Sequence, residues 1–184
     1  MHILLLGATG RTGIQVLTQA LEHNHTITAL TPSTPFAAVH PADSPPRMMA
    51  DSLGNILSAL KARQPDHKAK IVVLSALGAG ESAQSTNCLL RLMFRYTNMR
   101  YTYEDHDAVE AELRDAAGDG VVDFVIVRPT RLVEGGEGVA RVFDADEGGV
   151  VGMMETVSRG AVARFLVGAA EGSEWDGRAP IIVG

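Results

Sequence analysis

The chain has 184 residues, 46% of them hydrophobic and 21% charged, with a formal net charge of −6. This composition suits a single ordinary domain, 1–184, able to bury roughly 70% of its unfolded surface without a disulfide or metal. Twenty-two acidic residues outnumber sixteen scattered Lys and Arg; this excludes the clustered basic patch that would neutralise phosphates, and with it a nucleic-acid partner.

The apolar run Ile3 to Leu6 is too short for a signal core or a membrane span, and no basic segment precedes it, so the expected location is the cytoplasm. HILLLG, closed by glycine, predicts a buried parallel strand, and GIQVLTQALEH repeats apolar residues at helical spacing. HTITAL, rich in β-branched residues, predicts a second strand and completes a βαβ unit. The next segment, TPSTPFAAVHPADSPP, has five prolines in sixteen residues, which forbids a central strand or a helix interior. A helix is expected from near Arg47, followed by a buried strand and small-residue loop in KIVVLSALGAG.

Helical pattern then covers SAQSTNCLLRLMFRYTNMRYTYEDHDAVEAELRDAAG as two segments, broken near Thr97 to Tyr101, before VDFVIVRP supplies a fourth strand. VEGGEGVARVFDADEGG is expected to be a loop, SRGAVARFLVGAAEG a helix and APIIVG a last strand. Strands separated by helices predict an α/β fold. The lone cysteine, Cys88, allows no internal disulfide, and no Cys/His spacing builds a zinc site, so no metal is expected.

Between the first strand and helix lies GATGRTG, with Gly7, Gly10 and Gly13 spaced GxxGxxG. Glycine lets backbone approach a ligand closely, and a helix N-terminus offers unpaired N–H groups and a positive dipole end. The turn therefore suits the pyrophosphate of a dinucleotide; the alternative is a purely structural bend from strand into helix.

LLLGATGRTG, IVVLSALGAG, VDFVIVRPT and SRGAVARFLV, in this order and spacing, resemble the atypical short-chain dehydrogenase/reductases with an NAD(P)H-binding domain. The resemblance points to the flavin reductase/biliverdin reductase B group, with NmrA-like regulators as relatives. It implies a Rossmann-like three-layer fold with a mostly parallel sheet. Carried over by position, Gly7, Thr9, Gly10, Arg11, Thr12 and Gly13 would wrap the pyrophosphate, Ser75 would lie beside the nicotinamide, and Pro129 and Thr130 would meet its carboxamide. Asn55 stands either for a cofactor-binding amide of that family or for a plain helix-surface side chain. No acid follows the second strand to hold ribose hydroxyls, and Arg11 offers a guanidinium for a 2′-phosphate, so NADP(H) is favoured over NAD(H). Arg11 is otherwise a solvated helix-start residue.

The Tyr and Lys four residues apart that classical members use are absent: Tyr101 is followed at that spacing by Asp105 and Tyr103 by Asp107, and a carboxylate raises a phenol pKa. The resemblance instead implies direct hydride transfer to a small planar acceptor, with Ser75 and His106 as catalytic candidates and Arg131 where relatives face substrate. His106 is otherwise part of a solvated helix start. The runs Glu104/Asp105/Asp107 and Asp144/Asp146/Glu147 are expected to be solvated surface, and the Met pairs at 48 and 153 core filling.

Relatives carry about one further βαβ unit, at least ~30 residues, where this chain has only its proline-rich connection. HTITAL would then either keep its place beside the first strand, leaving a gap toward KIVVLS, or move inward. A closed inner edge is expected, because an unpaired strand edge is costly. Three functions follow: an NAD(P)H-dependent reductase of a flavin-like or other planar carbonyl or enone acceptor, a non-catalytic NmrA-type regulatory module, or a shortened variant with impaired cofactor binding.

Overall fold

The computed structural model describes residues 1–31, 47–63, 67–80, 82, 97, 99–135, 138–144, 151–152 and 155–184. In chain order these form β1 (His2–Leu6), α1 (Arg11–Glu22), β2 (Thr26–Leu30), α2 (Met48–Arg63), β3 (Ala69–Leu74), α3 (Met99–Gly118), β4 (Val122–Pro129), β5 (Arg131–Val133), β6 (Arg141–Asp144), β7 (Thr156–Ser158), α4 (Arg159–Glu171) and β8 (Pro180–Val183).

The fold is α/β and Rossmann-like, with mostly parallel strands. β4 is its centre. VDFVIVRP is apolar on both faces, as a strand covered on both sides must be, and its alternation sends Val125 and Val127 to one layer and Phe124 and Ile126 to the other. The first layer is α1 and α4, which bring Val16, Ala20, Val162 and Val167 to the sheet. The second is α2 and α3, which bring Leu53, Leu57, Val109 and Leu113. Helices on both faces of a sheet give the expected three layers.

The sheet is divided. β1 pairs in parallel with β2, from His2 opposite Thr26 to Leu6 opposite Leu30. A second ladder runs β3-β4-β8-β6, with β6 antiparallel, and β5 pairs with β7. Among the described residues no ladder joins β1 or β2 to β3. HTITAL pairs with the first strand, and no closed inner edge toward KIVVLS is formed among the described residues. The β1–β2 pair is held instead by side chains, with α1 packed on α4 and Ile3, Leu5 and Ile27 against the same apolar cluster as Val72 and Leu74.

β1 is accordingly not the buried strand its composition predicts. Ile3 and Leu5 face inward, while Leu4 and Leu6 are 47% and 41% exposed. β5, β6 and β7 are a second departure. Arg141–Asp144 falls in the expected loop, but Val142 and Phe143 pair with Ile182 and Ile181 and so extend the sheet edge. α3 begins within the expected break; Cys88, Asp146, Glu147 and the Met pair at 153 lie outside the described residues.

Helix ends follow local chemistry. Ser158 caps α4 by accepting the Ala161 amide at 3.1 Å. α1 stops at His23 in a reversed turn: Asn24 takes φ +60°, and the His25 amide donates to the Ala20 carbonyl at 3.0 Å.

Candidate functional site

The glycine turn leads from β1 into α1. Gly7 has φ +73°, which L side chains rarely adopt, and the Gly10 amide donates to the Gly7 carbonyl at 2.9 Å. At Gly13 an added Cβ would stand 2.1 Å from the Gly7 oxygen and 2.9 Å from its carbonyl carbon. Gly7 and Gly13 are thus accounted for by the turn itself. Gly10 differs: a Cβ there would be 3.2 Å from the Gly7 oxygen, a tight but adjustable contact, and the residue is exposed.

Gly10 is the N-cap of α1, so the helix has no side-chain cap, and its first turn has no acidic residue. The amides of Arg11, Thr12 and Gly13 begin a positive dipole end with neither a side-chain cap nor an acidic residue in the first turn. Thr9 and Arg11 are exposed on the same turn. The Arg11 guanidinium lies 3.7 Å from Glu134, which also accepts from Arg159 at 2.9 Å. This links the turn to the segment after β5 and the start of α4. The residues present fit an anion such as a pyrophosphate at this corner.

A second polar group lies where β3 and β4 end. Arg128 is fully buried and Glu110, from α3, is 3% exposed. Arg128 Nε and Nη2 both donate to Glu110, the former at 3.2 Å, and the Ser75 hydroxyl donates to Glu110 Oε1 at 2.6 Å. The loop after β3 roofs this pair closely: a Cβ on Gly80, at φ +53°, would be 2.3 Å from a Glu110 oxygen. The Pro129 carbonyl accepts from the Leu77 amide at 3.1 Å, and the Thr130 amide donates to Ile182 at 3.0 Å. Thr130 Oγ1, Arg128 Nη1 and His106 Nδ1 are buried with no hydrogen-bond partner among the described residues.

α3 adds Tyr103, His106 and Asp107. The Tyr103 hydroxyl donates to the Leu77 carbonyl at 3.0 Å, and burial, with the Asp107 carboxylate second, pushes it up to about 12. It stays protonated and bound to that carbonyl. His106, edge-on to Tyr103, is pushed below the ordinary histidine value by burial, against the pull of Glu110, Asp105 and Asp107. The ring is therefore neutral at neutral pH.

The acidic run around His106 is not simply solvated, which corrects the expectation. Asp105 is 7% exposed and accepts the Met49 and Ala50 amides, each at 2.9 Å, at the start of α2. Asp107 accepts the Gly80 amide at 2.7 Å. Asp107 and Glu104 are both exposed, and Glu104 lies 3.6 Å from Arg100. Asn55 is exposed on α2. An open groove lies elsewhere, between β6 and α4, with Val139, Phe165 and Trp175 in its lining.

Ser75, His106, Pro129 and Thr130 thus gather at the ends of β3 and β4, and Gly7 to Gly13 gather at the end of β1. Glu110 was not singled out from the sequence. Its signal was Arg128 directly after the apolar run Phe124 to Val127, since a buried guanidinium requires a carboxylate partner.

Helices on both faces of a mostly parallel sheet, with ligand-ready groups following the strand ends, define a Rossmann-type nucleotide-binding fold. The family model described as NAD(P)H-binding matches residues 36–172, and the chain belongs to that family. The matched stretch begins after the glycine turn. No curated protein sequence matches the chain. Solved structures align along its whole length. A Bacillus halodurans protein, provisionally assigned as an NAD-dependent epimerase/dehydratase, is 13% identical and aligns over 100% of this chain and 94% of its own at a TM-score of 0.73. ChuY, an anaerobillin reductase from Escherichia coli O157:H7, is 16% identical over 100% and 97% at 0.70. A wide-type short-chain dehydrogenase/reductase from Veillonella parvula, in complex with NADP, is 15% identical over 98% and 93% at 0.68. At these identities the likeness is one of fold. No helix among the described residues is long and apolar enough to cross a membrane.

Proposed function

We propose that the chain is an NAD(P)H-dependent oxidoreductase that reduces a small planar acceptor, flavin-like or a carbonyl or enone, and that it prefers NADP(H). The observation that carries this is the uncapped, exposed N-terminus of α1 behind Gly10 in a chain of the NAD(P)H-binding family. The coenzyme, when bound, supplies the hydride. Main-chain amides of the first turn hold its pyrophosphate. Arg11, now shared with Glu134, turns to a 2′-phosphate, a better bidentate partner for a guanidinium. The Arg128–Glu110–Ser75 network fixes the ends of β3 and β4 so that Thr130 Oγ1 meets the carboxamide. His106 exchanges the proton through the ring nitrogen that has no hydrogen-bond partner among the described residues. Positioning supplies the larger part of the rate.

One observation favours a regulatory, NmrA-type role as the second reading: Ser75 Oγ, the Pro129 carbonyl and the Thr130 amide already spend their hydrogen bonds inside the protein. Fluorescence titration with NADPH and NADH, followed by turnover with FMN and a quinone, tests both. Binding with hydride transfer supports the reductase. Binding without transfer supports the regulator, and no binding supports the shortened, impaired variant. Gly10→Val is expected to abolish binding while the fold survives, because its side chain stands over the free amides.

A further inference from the structure

The turn after α1 and the end of α4 bring together three side chains that no sequence spacing joins. His23 Nδ1 lies 2.8 Å and His25 Nε2 2.7 Å from the same carboxylate oxygen of Glu171, the last residue of α4. The three ligand atoms all fall within 4.8 Å of one another. A carboxylate only accepts, so each ring donates a proton along the line a metal bond would take.

The convergence is built into the backbone. The left-handed Asn24 reverses the chain between the two histidines and so turns both rings to one side, and His25 is already packed down to 10% side-chain exposure.

We propose that His23, His25 and Glu171 form a zinc site that fastens the β1–β2 unit to α4. Two imidazole nitrogens and one carboxylate suit Zn²⁺ with water in the fourth position, whereas Mg²⁺ and Ca²⁺ prefer oxygen ligands throughout. The place matters because β1 and β2 share no strand ladder with the rest of the described sheet. A metal here cross-links residues 148 apart in sequence across the packed faces of α1 and α4. None of its three ligands belongs to the glycine turn.

The test uses the full chain stripped with EDTA and titrated with ZnCl₂ calorimetrically. A parallel Co²⁺ titration reads the visible bands of four-coordinate cobalt. One ion per chain is expected, and His25→Ala or Glu171→Gln should each weaken it by at least ~10-fold, the low end of the loss on disturbing even outer-shell partners. Zinc at about 100 times its Kd should raise the melting temperature by about 5–10 °C, and His23→Ala should abolish that rise. His2→Ala, on β1 outside the triad, should change neither. The absence of zinc-dependent heat and melting shift in the unaltered chain would overturn the proposal, leaving a hydrogen-bonded helix end. Undiminished binding in His23→Ala/His25→Ala would equally overturn it by placing the ion elsewhere.

Discussion

Replacing Glu110 by Gln leaves the Arg128 guanidinium in place without its countercharge. Arg128 has no exposed surface, and its Nε and Nη2 both end on Glu110, as does the Ser75 hydroxyl at 2.6 Å. Breaking such a pair on one side costs about 3–5 kcal/mol, because the remaining charge has neither water nor partner. That is a large part of the ~5–15 kcal/mol that keeps a domain folded, and for a chain of this size it corresponds to about 6–20 °C in melting temperature. Urea unfolding of Glu110→Gln should show a lower midpoint with an unchanged slope. Glu110→Leu/Arg128→Met, which removes both charges, should recover at least half of the loss. A Glu110→Gln cost below ~1 kcal/mol, or a double variant as unstable as the single, would refute the claim that the pair is buried and coupled.

Gly13→Ala should destabilise by about 1–3 kcal/mol or more, since its methyl meets Gly7 backbone at 2.1 Å, whereas Gly54→Ala in α2, with open space around it, should stabilise by about 0.5–1 kcal/mol; thermal melts separate the two. Asp105→Ala removes the acceptor for two amides at the start of α2 and should cost about 0.5–2 kcal/mol in the same assay. His106 should titrate below the ordinary histidine value by NMR. Its folded form binds a proton less readily than the unfolded chain, so its contribution to stability is present at neutral pH and is lost as pH falls through the ordinary value toward the folded one. His106→Gln should flatten that slope in denaturation measured across pH.

The sequence yields what depends on periodicity and on glycine. β4 reads directly as a doubly covered strand, and α4 is framed by Ser158 and Gly172. GATGRTG announces a tight strand-to-helix turn, and the geometry at Gly7 and Gly13 supplies the steric reason. What composition cannot register is the neighbour a strand lacks. HILLLG has the residues of a buried strand whether or not a ladder flanks it, and here one face stays open. Nor do local patterns reveal tertiary caps: Asp105 in a charged run looks solvated, yet its partners lie more than fifty residues away at the start of α2. Arg128 and Glu110 were legible in principle, because an arginine among valines and isoleucines requires an anion, but only the register of α3 against β4 identifies which one.

The divided sheet carries a dynamic consequence. Among the described residues no strand ladder ties β1 and β2 to the larger sheet, so amides such as those of Ile3 and Leu5 are expected to form their own cooperative unit and to exchange with deuterium through partial opening. Anything that staples this parallel βαβ unit to α4, or grips the bend at its tip, closes that route, and slower isotope uptake in the first thirty residues becomes a readout of occupancy far from the bound group.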